Sequence, residues 1–488
     1  MNDLGTNDVQ QLKELGISLE ALAHQVKQFE HGIDPVALIS PCDVDNGIER
    51  FSSEELTYFG KYFEERVKGI EITRFVPASG AASRMFKAFF QYLESGTENQ
   101  EVKSFANGFQ SFAFYNLIKC QNEPDYSCAI NNMINIHKLA ELPKALIPFH
   151  SYAEASRTAI EEHLVETSLI LNSIEQVNIH FTISEAHQNM FNNLIEQNIA
   201  SYSAEYNCKY NISFSYQSHA TDTVAVDSDN QLLRNVDGSL MFRPGGHGSL
   251  LMNLNDLDSD LIFIKNIDNV QPDHLKTSTV LYKKILAGYL LSKQAEISDL
   301  LAQLDNREVD LSRASLIIER DFNIRLPESF IQLGTEAKWQ FLHAKLNRPI
   351  RVCGMVKNEG EPGGGPFWVR NANGEGSLQI VESSQIDMQD NQQADIFRHS
   401  SYFNPVDLVC WIKDYKGNKF DLNNFTNPDT AFVSEKSQAG KVFKVLEHPG
   451  LWNGAMADWI TLFVEVPIAT FSPVKTITDL LRPEHQPA

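Results

Sequence analysis

Cysteine is scarce in this chain, with six in 488 residues at positions 42, 120, 128, 208, 353 and 410, and no Cys-x-x-Cys pair. That scatter excludes the usual zinc and dithiol motifs and leaves free thiols in a reducing cytoplasm as the reading. Long apolar runs are missing too. None reaches the ~18 residues that crossing a bilayer requires, and Met1-Asn2-Asp3-Leu4 lacks the basic-then-apolar opening of a secretory signal. Positive charge is in short supply: 41 Lys and Arg stand against 63 Asp and Glu, for a net charge of −22. A nucleic-acid surface needs a basic stripe, so that class of partner is excluded. A phosphorylated ligand must then be held by a few local cations against an unfavourable overall field. There is no internal repeat and no low-complexity tract. What remains is an ordinary globular composition, 42% apolar and 21% charged, in a chain long enough for about three average domains. A cytoplasmic protein without membrane or nucleic-acid partners is expected, and its oligomeric state is left open.

Periodicity supplies the elements. Leu12, Leu15, Leu19, Leu22, Val26 and Phe29 recur at helical spacing, with Gly16 breaking the run, and Ser52-Ser53-Glu54-Glu55 opens another helix as a capping box. Residues 1–70 therefore read as a helical N-terminal segment. Short β-branched and aromatic runs at Ile70 to Val76, Val177 to Ile183, Phe214 to Gln217 and Leu261 to Lys265 read as strands. Helices are expected over Ser83 to Leu93, Ser151 to Leu171, Glu185 to Gln197, Thr279 to Ser292 and Ala295 to Leu304. Such alternation predicts an α/β fold with a mostly parallel, Rossmann-like sheet over residues 71–345. Residues 346–488 form a strand-rich C-terminal part, with strands at Arg351 to Val356, Leu378 to Val381, Leu408 to Ile412 and Thr461 to Val466. Pro483 to Ala488 reads as a loose tail.

The most informative stretch joins the first of those strands to its helix: Ala78-Ser79-Gly80-Ala81-Ala82-Ser83-Arg84-Met85. A small-residue turn lets a polyanion approach the backbone N–H groups at a helix start, and an arginine adds a bidentate clamp. Neither the P-loop nor the dinucleotide fingerprint fits. The stretch instead resembles the Gly-x-Gly-Thr/Ser-Arg-Met/Leu loop of sugar nucleotidyltransferases, with Ala82 in place of the second glycine. Pro143-Lys144-Ala145-Leu146-Ile147-Pro148 resembles the Pro-Lys-x-Leu-x-Pro segment that follows in that family. Its distance from the loop implies an insertion over about 90–140.

Three further segments resemble the eukaryotic-type UDP-sugar pyrophosphorylases, in that family's order. They are Arg243-Pro244-Gly245-Gly246-His247-Gly248, Asn266-Ile267-Asp268-Asn269, and Pro473-Val474-Lys475-Thr476-Ile477-Thr478-Asp479-Leu480-Leu481. The overall wording, including Gly450-Leu451-Trp452-Asn453-Gly454-Ala455-Met456, also resembles a bacterial domain family of unassigned reaction in the nucleotide-diphospho-sugar transferase superfamily. That likeness implies the superfamily's fold over nearly the whole chain.

The resemblance implies roles. Gly80, Ala81, Ala82 and Ser83, with Gly245, Gly246 and His247, would bind a nucleotide. Gly354 and Glu382 would hold sugar hydroxyls. Asp268 would hold Mg2+, with Asn453 or Asp458 as candidates to complete that site. Arg84, Lys144 and Lys475 would neutralise phosphate charge during catalysis, with Lys87 as the competitor to Lys144. The implied activity joins a nucleoside triphosphate to a sugar 1-phosphate, giving a nucleotide sugar and pyrophosphate. A glycosyltransferase on the same fold, or a non-catalytic nucleotide- or sugar-binding protein, is the alternative.

Overall fold

The computed structural model describes residues 4–121, 125–360, 363–438 and 441–488. Met1, Asn2 and Asp3, three of the four residues read for a secretory signal, lie outside them. The chain forms two compact units, each discontinuous in sequence: the first is 1–53, 217–261 and 289–465, the second 54–216, 262–288 and 466–488. The divisions read near residues 70 and 345 do not coincide with either. Among the described residues no helix is long and apolar enough to cross a membrane.

In the second unit, strands β1 (Ile72–Pro77), β2 (Gln176–Thr182), β3 (Lys209–Ser215) and β4 (Leu261–Lys265) lie side by side in the order β4-β1-β2-β3. β1 pairs in parallel with β2, placing Phe75 opposite His180, and β2 pairs in parallel with β3. β4 is buried throughout and β1 nearly so, as a sheet covered on both faces demands. Helices α1 (Lys87–Ser95), α2 (Ala159–Ile170) and α3 (Gln188–Tyr206) belong to the same unit. α2 starts eight residues later than the sequence reading. Residues ahead of it form a hairpin, and Thr158 with Glu161 makes the capping box that starts the helix.

Because α2 is buried on nearly every face, its acidic residue Glu166 needs buried partners. It accepts hydrogen bonds from Arg74 Nη2 of β1 at 2.7 Å and from Lys265 Nζ of β4 at 2.9 and 3.0 Å, and all three side chains are fully buried. The two cations hold the Glu166 carboxyl far below its usual range, outweighing the burial that pushes it up. Burial lowers the Lys265 ammonium to about 8 although Glu166 opposes it.

The insertion after α1 carries short helices at Gln100–Gly108, Tyr115–Ile118 and Tyr126–Asn131. It packs through rings: Phe105 sits 5.2 Å from Phe89 and 5.4 Å from Phe112, which stacks on Phe114 at 4.9 Å. Such aromatic contacts let a helical insert hold itself without strands. Here the free-thiol reading is corrected, because Cys120 and Cys128 form a disulfide, while Cys42, Cys208, Cys353 and Cys410 are free and buried. The tail reading is corrected as well. Pro483–His485 makes a turn that buries His485, whose Nδ1 lies 2.9 Å from His150 Nε2 with the rings stacked.

The first unit is mixed. β5 (Ile350–Lys357) pairs antiparallel with β6 (Asp407–Trp411) and parallel with β7 (Ile460–Glu465). Two antiparallel four-stranded sheets accompany them. One contains Ala37–Pro41, Gly365–Arg370 and Gly376–Val381, and the other Asp222–Val226 and Lys441–Glu447. So the mostly parallel expectation suits the paired strands of the second unit, and the first unit is largely antiparallel. The N-terminal helices, Thr6–Leu15 and Leu19–His31, place Leu12, Leu22 and Phe29 in a core with Val224, Val226 and Leu446. Leu19 from the same stripe is exposed. Strands at residues 37–49 interrupt the segment read as wholly helical.

Glu166→Ala leaves Arg74 and Lys265 buried without a counter-charge. A loss of about 3–5 kcal/mol in unfolding free energy is expected, measured by denaturant titration. The pH dependence has a set sign. The unfolded chain holds the Lys265 proton more tightly than the fold does, with pKa values near 10.5 and about 8, so stability from this group rises as pH climbs through that window. A Glu166→Ala protein as stable as the parent would show that the triad does not anchor the sheet.

Candidate functional site

The turn that follows β1 is open on one side. Ser79, Gly80, Ala81, Ser83 and Arg84 are exposed, and nothing stands within 4 Å of where a Gly80 side chain would begin. The helix expected from Ser83 starts as a 3-10 turn over Ala82–Phe86 and becomes α-helical at Lys87. The N–H groups of Gly80 and Ala81 have no partner among the described residues. Ala82 is different: it is fully buried and its N–H donates to Leu142 O at 3.1 Å. The backbone donor read there for a nucleotide is therefore already engaged. This also explains why a methyl group is tolerated in place of the second glycine, since the position faces the protein interior.

The insertion returns its end to this turn. Ala81 pairs with Pro143 in an isolated β-bridge, and Lys144 N–H donates to Gly80 O at 3.2 Å. A second pairing joins the segment after β4 to the chain end. Asn269 bridges Pro473, Val474 N–H donates to Asp268 O at 3.0 Å, and Ser472 N–H donates to Asn269 Oδ1 at 3.0 Å. The two pairings meet at one carboxylate. Asp268 Oδ2 accepts from Lys144 Nζ at 2.7 Å and from Lys475 Nζ at 3.3 Å. Burial pushes the Asp268 carboxyl up, and the two ammonium groups more than offset it and hold it below the usual range. Burial lowers Lys144, with Asp268 opposing. Lys475 differs in that its side chain is 58% exposed, against 13% for Lys144. Arg84 is exposed and makes no ion pair among the described residues. Lys87 is likewise exposed.

Two supporting residues escaped the sequence reading. Asp479 Oδ2 accepts from the N–H groups of both Lys475 and Thr476 at 2.7 Å, which fixes the backbone that carries Lys475. Its signal was present as the capping-box pattern Thr476-x-x-Asp479. Gln271 is buried and bonds Ser472 Oγ and Thr279 Oγ1, at 2.9 and 2.7 Å, clasping the turn after Asp268. No local pattern marks such a residue.

In the first unit the glycine loop is tightly built. Gly246 has a φ of +77°, and a side chain on Gly248 would begin 2.1 Å from Pro449 O, so glycine is required at both positions. His247 Nδ1 accepts the Leu451 N–H at 3.1 Å, which places the proton on Nε2, and its ring stacks on Trp452 at 4.4 Å. Burial lowers its pKa although Glu382 and Glu447 oppose that, so the ring is neutral. Glu382 Oε1 accepts from Asn453 Nδ2 at 3.1 Å. Gly354 is buried within β5, opposite Val464 of β7. Asp458 is exposed, with Oδ1 3.8 Å from Arg348 Nη1.

A magnesium ion that arrives on substrate phosphates needs one or two carboxylates from the protein. Asp268 fits that demand: it is held ionised, and its Oδ1 has no partner among the described residues. Among those residues no group of three or more His, Cys, Asp or Glu is placed to hold an ion unaided.

A family model described as "Domain of unknown function (DUF4301)" matches residues 5–486, and the chain belongs to that family. This agrees with the bacterial domain family that the sequence resembles. No curated protein matches the sequence. Among solved structures, a UDP-glucose pyrophosphorylase variant from Leishmania major in complex with UDP-glucose is similar at 11% identity and a TM-score of 0.45. The match covers 97% of this chain and 77% of that one. The inositol-1-phosphate CTP transferase from T. maritima is similar at 10% identity and a TM-score of 0.32, covering 84% of this chain and 92% of that one. Likeness this low assigns no residue a role.

The geometry sets what Asp268→Asn should do. A lone surface carboxylate would be replaced without cost, but this one is the partner of the buried Lys144. A loss of about 1–3 kcal/mol is expected, and Asp268→Asn combined with Lys144→Met should recover most of it, as a double-mutant cycle by thermal or denaturant unfolding would show. Strict additivity of the two changes would mean that the ion pair contributes nothing.

Proposed function

We propose that this member of the DUF4301 family is a sugar nucleotidyltransferase, joining a nucleoside triphosphate to a sugar 1-phosphate with magnesium. The observation that carries the reading is the Lys144–Asp268–Lys475 cluster, with Lys144 hydrogen-bonded through its backbone to the open turn at Gly80. In a chain of net charge −22, two lysines on one carboxylate beside unpaired backbone donors form a local site for a polyanion.

In the reaction, an oxygen of the sugar phosphate attacks the α-phosphorus of the triphosphate and forms a new P–O bond. The bond from that phosphorus to the bridging oxygen breaks, and pyrophosphate leaves with the electron pair. The attacking oxygen is already anionic, so no general base is required. Catalysis reduces to positioning and to stabilising charge on the phosphoryl oxygens.

Lys475 and Lys144 act there as point charges, and Arg84 grips the departing pyrophosphate bidentately. The N–H groups of Gly80 and Ala81, and the Ser83 hydroxyl, receive phosphate oxygens. Asp268 holds magnesium, which when bound neutralises and orients phosphate oxygens. For the first unit, what supports nucleotide roles at Gly245, Gly246 and His247 and sugar-hydroxyl roles at Gly354 and Glu382 is the sequence resemblance alone. A glycosyltransferase would make less use of three cations, which is why the transferase of nucleotidyl groups is preferred.

The test is pyrophosphate release with magnesium, a panel of nucleoside triphosphates and a panel of sugar 1-phosphates. Lys475 is mostly exposed, so Lys475→Ala leaves the fold intact. It should lower kcat by roughly thirty- to a thousandfold, as loss of about 2–4 kcal/mol of transition-state stabilisation implies. Turnover that survives both Lys475→Ala and Lys144→Met would move the phosphate site elsewhere. Sugar transfer from a nucleotide sugar without pyrophosphate release would establish the glycosyltransferase reading.

A further inference from the structure

The second unit holds a further group of buried titratable side chains that the proposed reaction leaves unused. Glu162 of α2 is its centre and is fully buried. It accepts from the Lys276 ammonium, from Tyr152 Oη at 2.7 Å and from His150 Nδ1 at 2.9 Å. His150 Nε2 in turn meets His485 Nδ1 at 2.9 Å, with the two rings stacked. These contacts lead back to the three arms of the Lys144–Asp268–Lys475 cluster. His150 follows Lys144 by six residues, and His485 follows Lys475 by ten. Lys276 donates to the carbonyl of Gln271, the residue that clasps the turn after Asp268.

The hydrogen-bond chain fixes where its protons sit. Burial pushes the Glu162 carboxyl up, but His150 and Lys276 more than offset that and hold it at about 2. An ionised carboxylate only accepts, so the proton between it and His150 is on Nδ1. Burial lowers both imidazoles, His485 to about 3, and both rings are neutral. The charged groups acting on His150 are Glu162 and Asp273, which oppose that shift, and Lys276, which adds to it. On His485 they are Glu162, which opposes it, and Arg482, which adds to it. With Nδ1 protonated, His150 Nε2 is bare and accepts, so His485 must donate from Nδ1. That leaves His485 Nε2 bare as well, buried and without a partner among the described residues. Native folds rarely leave such an atom unsatisfied. A phenylalanine would stack on His150 without that penalty. What the imidazole adds is the Nδ1–H directed at His150.

From His485 an unbroken run of turns leads to Lys475. The His485 N–H donates to Arg482 O and the Arg482 N–H to Asp479 O, both at 3.0 Å. Arg482 Nη2 also lies 2.8 Å from Asp479 Oδ1, and Asp479 Oδ2 receives the N–H groups of Lys475 and Thr476. The Lys475 ammonium makes one hydrogen bond among the described residues, at 3.3 Å, and its side chain is mostly exposed. Its place therefore depends on the backbone that carries it. We infer that His485 is a positioning residue, a latch whose Nδ1–H bond to His150 fixes the chain end and, with it, the place of Lys475. The part of this inference that concerns turnover rests on the nucleotidyltransferase reading.

Three readouts on the full-length protein test it. In nitrogen-15 NMR with labelled histidine, the signal lost in His485→Phe should belong to a neutral ring protonated at Nδ1. That state should persist near pH 6, where an unburied histidine is mostly charged. Hydrogen–deuterium exchange without nucleotide reads the latch itself. His485→Phe keeps the stacked ring and removes the N–H, so amides 474–476 should exchange about tenfold faster, the equivalent of one lost hydrogen bond. The amides of β1 should keep the parental rate. His485→Asn carries an amide N–H at about the Nδ1 position and should return the exchange close to the parent's. In the pyrophosphate-release assay, His485→Phe should lower kcat about ten- to a hundredfold, with KM within about twofold. The latch is overturned if the ring is charged or protonated at Nε2 near pH 6, or if amides 474–476 exchange alike in the parent and in His485→Phe. It is equally overturned if His485→Asn is no better than His485→Phe, or if exchange quickens as much in β1, which marks a general loss of fold. An unchanged kcat in His485→Phe overturns the positioning role. A parent without turnover would refute the nucleotidyltransferase reading alone, and the exchange and NMR results would still decide the latch.

Discussion

Glu166 holds two buried cations from neighbouring strands, and the candidate phosphate site hangs from those strands. Arg74 belongs to β1, whose end carries the Gly80 turn, and Lys265 belongs to β4, which Asp268 follows by three residues. A buried triad of this kind is costly to desolvate and contributes less to net stability than its distances suggest. What it supplies is registration, since a shift of α2 or of either strand would strand a charge in the interior. The two loops are thereby presented at fixed places in the second unit.

The same electrostatic logic operates one layer out, at lower cost. Asp268 is nearly buried, Lys144 mostly so, and Lys475 reaches solvent. The cluster carries one negative and two positive charges, so an anion arriving at the Gly80 turn meets a surplus of positive charge inside an acidic protein. Asp479 and Gln271 make the arrangement rigid from behind, by fixing the backbone on either side of Lys475 and Asp268. This division between a buried, paired cation and an exposed one gives the two lysines separable contributions to folding and to ligand binding.

Much of this was legible in the residues. β1 announces itself as a short β-branched and aromatic run and β4 as four apolar residues in succession before Lys265, and the motifs at Gly80, Lys144, Asp268 and Lys475 keep a recognisable order over four hundred residues. Helix starts were less legible. Ser151 to Ala159 looks helical by composition, yet a hairpin occupies it because Thr158 and Glu161 cap the helix only there. The stripe at Leu12 to Phe29 correctly marked a core face but could not reveal that strands at 37–49 follow it. Gln271 and the Cys120–Cys128 bond depend on contacts that no local pattern encodes. Nor could spacing show that the Ala82 N–H is spent on Leu142, because that bond requires the insertion to return beside the turn.

The central claim is that the Gly80 turn and the Lys475 segment together receive a polyphosphate. Hydrogen–deuterium exchange of the full chain, with and without magnesium and each of the four common nucleoside triphosphates, tests it most directly. Slower exchange is expected at the amides of residues 79–85 and 473–477 with at least one nucleotide, and Asp268→Asn should abolish the effect. No protection with any nucleotide, or protection confined to other segments, would contradict the account.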